Sequence, residues 1–201
     1  MKISKAKAPF DAYDTVRQNV NDVVRKAPEF LHYVTVEKLR ISEPDTSYFV
    51  RLDELISGRL CAAAQLNSWR FLLSNGDEVI GEVELNANEK RGKLMEFVAI
   101  HQTHFSAASV QALKKAEKLT KENGQYEVRQ LKIPSVYLVA IWFHSETDDL
   151  IVPLPPAPNG IEAFQFYSEQ SLINLLQPAA NAARIRELSL RGNASDSRRA
   201  Q

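Results

Sequence analysis

The feature of this sequence that most constrains its fold is an uninterrupted run of apolar residues, Val136–Phe143. Side chains on a strand point alternately to the two faces of its sheet, so a strand with one solvent-exposed face alternates between apolar and polar residues. A run without a polar position therefore predicts a strand that is covered on both faces. Alternation puts Trp142 on one face and places Tyr137 and Phe143 on the other. The run is far shorter than the roughly 20 residues that a membrane-spanning helix needs.

Other segments supply neighbouring strands. Tyr126–Ile133 and Leu150–Leu154 flank the central run. Trp69–Leu73 and Val79–Leu85 lie on either side of Asn75-Gly76, a dipeptide typical of a hairpin turn. A charged turn at 88–92 then leads to a third apolar segment at 94–101, which predicts a three-stranded meander.

Three segments have helical patterns. Apolar residues recur at helical spacing in residues 10–26, which predicts a helix that ends before Pro28. A second helix is expected from an N-cap at Ser106 to a left-handed end at Asn123-Gly124. A third begins at Ser168 and is expected to end at about Leu176, because Pro178 cannot donate a helical hydrogen bond. The alanine-rich residues 179–190 are then expected to continue as a second short helix.

This order of elements predicts an α+β fold, an antiparallel sheet of about five to seven strands packed by helices on one side. In element order alone it resembles cystatin- and NTF2-like folds. We expect one globular domain over residues 1–190, with residues 1–45 as a candidate N-terminal helix and arm. The sequence leaves open whether residues 1–60 join the main sheet or form a separate arm. Residues 191–201 lack any apolar residue larger than alanine, which predicts a disordered basic tail.

Charge and cysteine content limit the partners and the compartment. The 25 Lys and Arg residues balance 25 Asp and Glu residues, whereas nucleic-acid-binding proteins usually carry a basic excess. We therefore expect no nucleic-acid partner. The single cysteine excludes an intramolecular disulfide. The first residues contain no apolar signal-peptide core, so we expect a soluble cytoplasmic protein without a membrane partner.

Common catalytic and cofactor motifs are absent from the sequence. It contains no phosphate-binding loop, no dinucleotide-binding glycine motif, no HExxH pair, no nucleophile-elbow serine motif and no CxxC pair. The sequence therefore predicts no cofactor and disfavours the common nucleotide-dependent and zincin-type enzymes.

Three histidines are candidate metal ligands. His101, His104 and His144 fall at the ends of predicted strands, and Asp148 and Asp149 follow His144. Imidazoles and a carboxylate that converge can bind a divalent metal. The alternative is that all three are surface histidines without a ligand role.

Cys61 is a second candidate, as a nucleophile that uses His101 or His144 as its base. This chemistry needs a thiol pKa lowered by its surroundings. Its neighbours Leu60 and Ala62–Ala64 are apolar, so the alternative is a buried cysteine that packs as a small hydrophobic residue.

Aromatic residues on the predicted strands give the leading functional hypothesis. One sheet face must meet the helices, and an uncovered face would form a pocket or a partner surface. We therefore expect a non-enzymatic binding or assembly protein, which binds a protein partner, a second copy or a small apolar ligand. A Cys/His-dependent hydrolase or transferase is the alternative, and core packing is the alternative fate of the aromatic residues. The candidate surface residues are Tyr137, Trp142, Phe143, Trp69 and Phe71.

Overall fold

The computed structural model describes residues 2–31, 34–87, 95–118 and 124–199, with residues 191–199 described by their backbone alone. The described residues form ten strands and four helices. The strands are β1 (Lys2–Ser4), β2 (Leu39–Ile41), β3 (Asp45–Phe49), β4 (Gln65–Asn75), β5 (Glu78–Asn86), β6 (Phe97–His101), β7 (Gln125–Ile133), β8 (Leu138–His144), β9 (Asp149–Pro153) and β10 (Tyr167–Ser168). The helices are α1 (Ala12–Lys26), α2 (Leu52–Ile56), α3 (His104–Glu117) and α4 (Glu169–Arg199).

All ten strands belong to one mixed, mostly antiparallel sheet in the order β10-β9-β8-β7-β3-β4-β5-β6. β1 and β3 both pair with β7 in parallel, and β2 pairs with β4. The prediction of an α+β fold is confirmed, whereas five to seven strands was too few. The strands β1, β2 and β10 have only two or three residues each, which is too short for an alternating pattern to be read.

The central apolar run forms β8, which lies between β7 and β9 and is covered on both faces. Trp142 and Phe143 point to opposite faces, as alternation predicts. Tyr137, in contrast, precedes the strand. It follows a short 3₁₀ turn at Pro134–Val136, has a φ of 56° and is 82% exposed. A left-handed backbone ends the turn and removes Tyr137 from the sheet face.

Helices cover both faces of the sheet, which corrects the prediction of a single covered side. Trp142 shares a core with Leu172 and Leu176 of α4. Phe143 shares a separate core with Ala112 and Ala116 of α3. Because β8 is apolar on both faces, each face needs its own covering layer.

The contact between α3 and β4–β5 is polar, not apolar. Arg70 is fully buried there and makes two 2.8 Å bonds to Asp45, with further bonds to Glu82 at 3.1 Å and to Ser109 of α3 at 3.0 Å. Lys5 also bonds to Asp45 at 3.2 Å. The buried charges are thus paired, as buried ions must be.

Helix α4 is continuous through Pro178, which corrects the predicted end at Leu176. Its buried positions continue past the proline to Ala180 and Ala183. Pro178 itself is exposed, and burial of this face outweighs the lost hydrogen bond. The helical backbone reaches Arg199. The disordered tail stays a prediction, since the side chains of 191–199 and residues 200–201 lie outside the description.

The remaining boundaries differ in detail. Helix α3 begins at His104, two residues before the predicted cap at Ser106, and ends at Glu117. The predicted charged turn and Asn123 lie outside the described residues. Gly76 has the positive φ of 61° that the predicted hairpin turn requires. None of the described helices combines the length and hydrophobicity that crossing a bilayer requires.

Candidate functional site

A thiol and two carboxylates converge at one end of the sheet. One ligand atom from each of Cys61, Asp149 and Glu169 lies within 4.8 Å of the other two. Cys61 is buried and the two acids are partly buried. We refer to these three residues as the thiol–carboxylate cluster.

Three separate elements supply the cluster. Asp149 is the first residue of β9, Glu169 is the first residue of α4, and Cys61 lies in the loop that follows α2. The Glu169 carboxylate accepts two backbone hydrogen bonds, from the N–H of Leu60 at 3.2 Å and from that of Cys61 at 2.8 Å. Glu169 therefore fixes the loop that carries the thiol against the start of α4.

Two side chains of β8 orient the carboxylate of Asp149. The indole Nε1–H of Trp142 donates to Asp149 Oδ1 at 2.7 Å. His144 Nδ1 lies 2.8 Å from the same oxygen. The Trp142 and His144 rings also contact each other edge to face, with centroids 5.3 Å apart. The carboxylate is thus held in one orientation on the sheet.

The electrostatics of the cluster keep the thiol protonated. Burial raises the pKa of the Cys61 thiol far above its ordinary value, and the charges of Asp149 and Glu169 raise it further. A hydrogen bond to Asp149 acts in the same direction, while the charge of Arg129 opposes it. A thiol nucleophile needs the opposite environment.

The positive charge of Arg129 lowers the pKa of the Cys61 thiol, against the effect of the two carboxylates. Its guanidinium lies over the ring of Trp142, 4.7 Å from the centroid, and bonds to Glu127 at 2.8 Å. The charge of Arg129 is therefore partly compensated by Glu127. The two carboxylates of the cluster are left with a protonated thiol between them.

A polar cleft of about 600 Å³ opens beside the cluster. Arg129 and His144 form part of its lining, together with polar residues of β1, β7 and the turn at 145–147. The side chain of His144 is 35% exposed, so solvent reaches the imidazole that contacts Asp149.

The three histidines of the predicted metal set do not come together. His101 ends β6 and His144 ends β8, with four strands between them in the sheet. At about 4.8 Å per strand this is a separation of about 24 Å. His104 is the first residue of α3 and its ring contacts Phe105. Of the three, only His144 contacts the thiol–carboxylate cluster, through Asp149.

The candidate pairing of Cys61 with a histidine is replaced by a pairing with carboxylates. A carboxylate oxygen of Asp149 lies within 4.8 Å of the Cys61 thiol, and Asp149 contacts His144. The imidazole therefore contacts the acid and does not serve as the direct partner of the thiol.

The aromatic residues predicted to form a partner surface are spread over the cores. Phe71, Trp142 and Phe143 are at most 2% exposed and belong to three different apolar clusters. Trp69 is partly buried against the apolar core that contains Phe71 and residues of α1. Tyr137 is exposed at the turn that precedes β8. They do not form one accessible apolar face, because helices lie on both sides of the sheet.

Glu169 is the site residue that the sequence did not identify. It directly follows Ser168, the predicted helix cap, and a glutamate in a first helical turn is ordinarily read as an interaction with the helix dipole. The sequence did indicate Asp149, as one of two aspartates that follow His144 and could supply a carboxylate ligand. Comparison of the chain with protein-family models, with curated proteins and with solved structures finds no match.

Proposed function

We propose that this chain is a binding protein for a thiophilic divalent metal ion, with Zn²⁺ as the leading candidate, held by Cys61, Asp149 and Glu169. The observation that carries the proposal is the approach of their three ligand atoms to within 4.8 Å of one another. Around a tetrahedral Zn²⁺ with bonds of about 2.0–2.3 Å, ligand atoms lie about 3.5 Å apart. A contraction of roughly 1 Å by side-chain rotation brings the cluster to that geometry.

The charges of the cluster also favour a cation. Without one, two carboxylates surround a buried thiol whose pKa they raise. A bound divalent ion deprotonates a coordinating thiol and compensates the charge of the carboxylates. The arrangement that opposes nucleophilic chemistry therefore suits metal binding.

The ligand types favour some metals over others. Thiolate sulfur favours Zn²⁺ and other thiophilic ions, whereas Mg²⁺ and Ca²⁺ prefer oxygen ligands alone. Trp142 and His144 both contact Oδ1 of the Asp149 carboxylate, the kind of outer contact that orients metal ligands. Three protein ligands leave a fourth position for water or a small molecule.

The sequence analysis expected a binding protein, and this proposal agrees with that function. It replaces the expected protein partner or apolar ligand with a metal ion. Burial of Phe71, Trp142 and Phe143 weighs against an apolar sheet face as the binding surface. The raised pKa of the Cys61 thiol weighs against a Cys/His-dependent hydrolase or transferase.

Calorimetric titration of the reduced, metal-stripped protein tests the proposal. We expect one Zn²⁺ per chain and no comparable binding of Mg²⁺. Glu169→Gln keeps an oxygen for the N–H groups of Leu60 and Cys61 but loses the charge, and should weaken Zn²⁺ binding at least tenfold. Glu162→Gln, an exposed glutamate outside the cluster, is the matched control and should leave the affinity unchanged. Equal Zn²⁺ affinity in wild type, Glu169→Gln and Cys61→Ser would contradict the proposal.

A further inference from the structure

The side of α1 that faces away from the sheet carries four side chains in one stripe. Asp14, Arg17 and Asn21 lie on the helix, and Phe10 lies in the turn directly before it. Their spacing of four, three and four residues brings them to one side of a helix, as in the seam between two paired helices. The opposite side of α1, which carries Val16, packs on an apolar core of the sheet. The stripe is therefore available to a partner.

A pocket of about 240 Å³ lies next to one end of the stripe, between α1 and the segment that leads into β2. Arg17 and Asn21 of the stripe are part of its lining, together with Tyr13. The rest of the lining is aliphatic and consists of Val20, Val36, Leu39 and Ile41. Since an apolar cavity of roughly 150 Å³ already holds a benzene ring, this α1–β2 pocket is large enough for one phenyl side chain.

Phe10 is the side chain that fits such a pocket. Its ring is 100% exposed, more than any other large apolar side chain in the described part of the chain. It is not among the residues that line the pocket of its own chain. It precedes Tyr13, at the edge of the pocket, by three residues, so the ring and the pocket belong to one surface. Such a surface is complementary to a second copy of itself.

The charges of the stripe specify how two copies would meet. Asp14 and Arg17 are both exposed, and neither forms an ion pair with any residue in the described ranges. The pair Asp14 and Arg17 and the pair Phe10 and Asn21 are centred on the same point of the chain, midway between residues 15 and 16. A twofold axis at that point relates two antiparallel helices. It places Asp14 opposite the partner's Arg17, and Phe10 opposite the partner's Asn21, beside the pocket.

We propose that this chain forms a homodimer in which two α1 helices pack antiparallel across a twofold axis, with Phe10 of each copy in the α1–β2 pocket of the other. Two exposed rings leave water in this contact, and two ion pairs form between Asp14 and Arg17. A contact of this symmetry closes on itself, so association stops at the dimer. It uses no residue of the thiol–carboxylate cluster and is independent of the proposed metal.

Sedimentation velocity of the full metal-free chain over a concentration series tests the proposal. We expect wild type to dimerise, and Phe10→Ser to associate at least about tenfold more weakly, because it removes the anchor of each half of the contact. Serine at this fully exposed position leaves the fold of the monomer unchanged. Tyr137→Asn is the matched control. It removes another exposed ring, 82% exposed at the turn before β8, and should keep the wild-type association.

A charge exchange tests the antiparallel pairing. Asp14→Arg and Arg17→Asp each bring like charges together in a homodimer, so each variant alone should associate at least tenfold more weakly than wild type. In an equal mixture of the two variants, opposite charges meet at both positions, and a heterodimer should form at least tenfold more tightly than either homodimer.

Three results would overturn the proposal. The first is a wild-type protein that stays monomeric up to about 1 mM, the concentration range of weak complexes. The second is wild-type association in Phe10→Ser. The third is a mixture of Asp14→Arg and Arg17→Asp that associates no more tightly than its components.

Discussion

Glu169 Oε1 accepts the backbone N–H of Cys61 at 2.8 Å, across 108 positions of the chain. This bond joins the first residue of α4 to the loop after α2. The same carboxylate contributes to the raised pKa of the Cys61 thiol. Glu169 therefore helps to fix the position of the only cysteine and adds to the effect of burial and of Asp149 on its pKa.

Cys61 should react slowly with thiol reagents in the folded protein. It is 8% exposed, and burial with its acidic neighbours raises its pKa. Two pKa units above the ordinary thiol already remove a factor of about a hundred in thiolate. We expect labelling by iodoacetamide at least about a hundredfold slower in the folded metal-free protein than after unfolding in guanidinium. Comparable rates in the two states would restore the nucleophile hypothesis.

Arg70→Met should strongly destabilise the protein. The change removes the guanidinium that pairs with both Asp45 and Glu82 and leaves Asp45 with Lys5 alone. Removing one partner of a buried ion pair costs about 3–5 kcal/mol. Urea unfolding gives the free energy directly. Arg40→Met, at an exposed position on β2, is the control and should change it by less than about 0.5 kcal/mol. A loss of similar size in both variants would show that the buried pairing is not the cause.

Asp45 should contribute to loss of stability in acid. Burial alone would raise its pKa, but the charges of Arg70 and Lys5 outweigh this and hold the pKa below its usual range. A lowered folded-state pKa gives stability that is present above the unfolded value of about 3.9 and is lost as the pH falls through the folded value. Asp45→Asn should therefore lose stability at about pH 6 and show a smaller further loss toward about pH 3.

The measurement for Asp45 is the free energy of unfolding in urea at a series of pH values. Asp77→Asn, in the exposed hairpin turn, should keep the wild-type pH profile. A profile of Asp45→Asn parallel to that of wild type would refute the assignment.

Pro178→Ala should stabilise α4. A proline inside a helix costs up to about 3 kcal/mol relative to alanine, through the missing N–H and the clash with the preceding turn. Pro178 is exposed in a helix that continues beyond it, so alanine restores a hydrogen bond without repacking. We expect a higher melting temperature and unchanged Zn²⁺ affinity. A lower melting temperature would indicate that the helix does not run through this position.

The parts of the fold that sequence could predict are those with long, regular patterns. The run Val136–Phe143 predicted an interior strand, and Asn75-Gly76 predicted a hairpin turn. Both predictions were possible because each pattern lies within a few neighbouring residues. Arg70 shows the limit of such patterns. A charged residue on a strand predicts a solvent-exposed position, and only the tertiary partners Asp45 and Glu82 make its burial favourable.

The helix over the second sheet face was hard to place for a similar reason. Helix α3 buries alanines and serines, among them Ala112 and Ser109, so its sequence lacks the large apolar stripe of a core helix. The candidate site depended on even longer-range contacts. Cys61 and Glu169 carry no shared motif, and the sequence signals available were the single cysteine and the acidic turn at Asp148-Asp149.

The thiolate–metal absorption of Cd²⁺ tests the central claim most directly, because it appears only when sulfur is bound to the metal. Titration of the reduced protein with Cd²⁺ should give the ultraviolet charge-transfer band with an end point at one ion per chain, and Zn²⁺ should compete it away. The band should be absent in Cys61→Ser, weakened in Glu169→Gln and unchanged in Glu162→Gln. A wild-type protein that binds Cd²⁺ without this band, or does not bind it, would contradict a metal site at Cys61, Asp149 and Glu169.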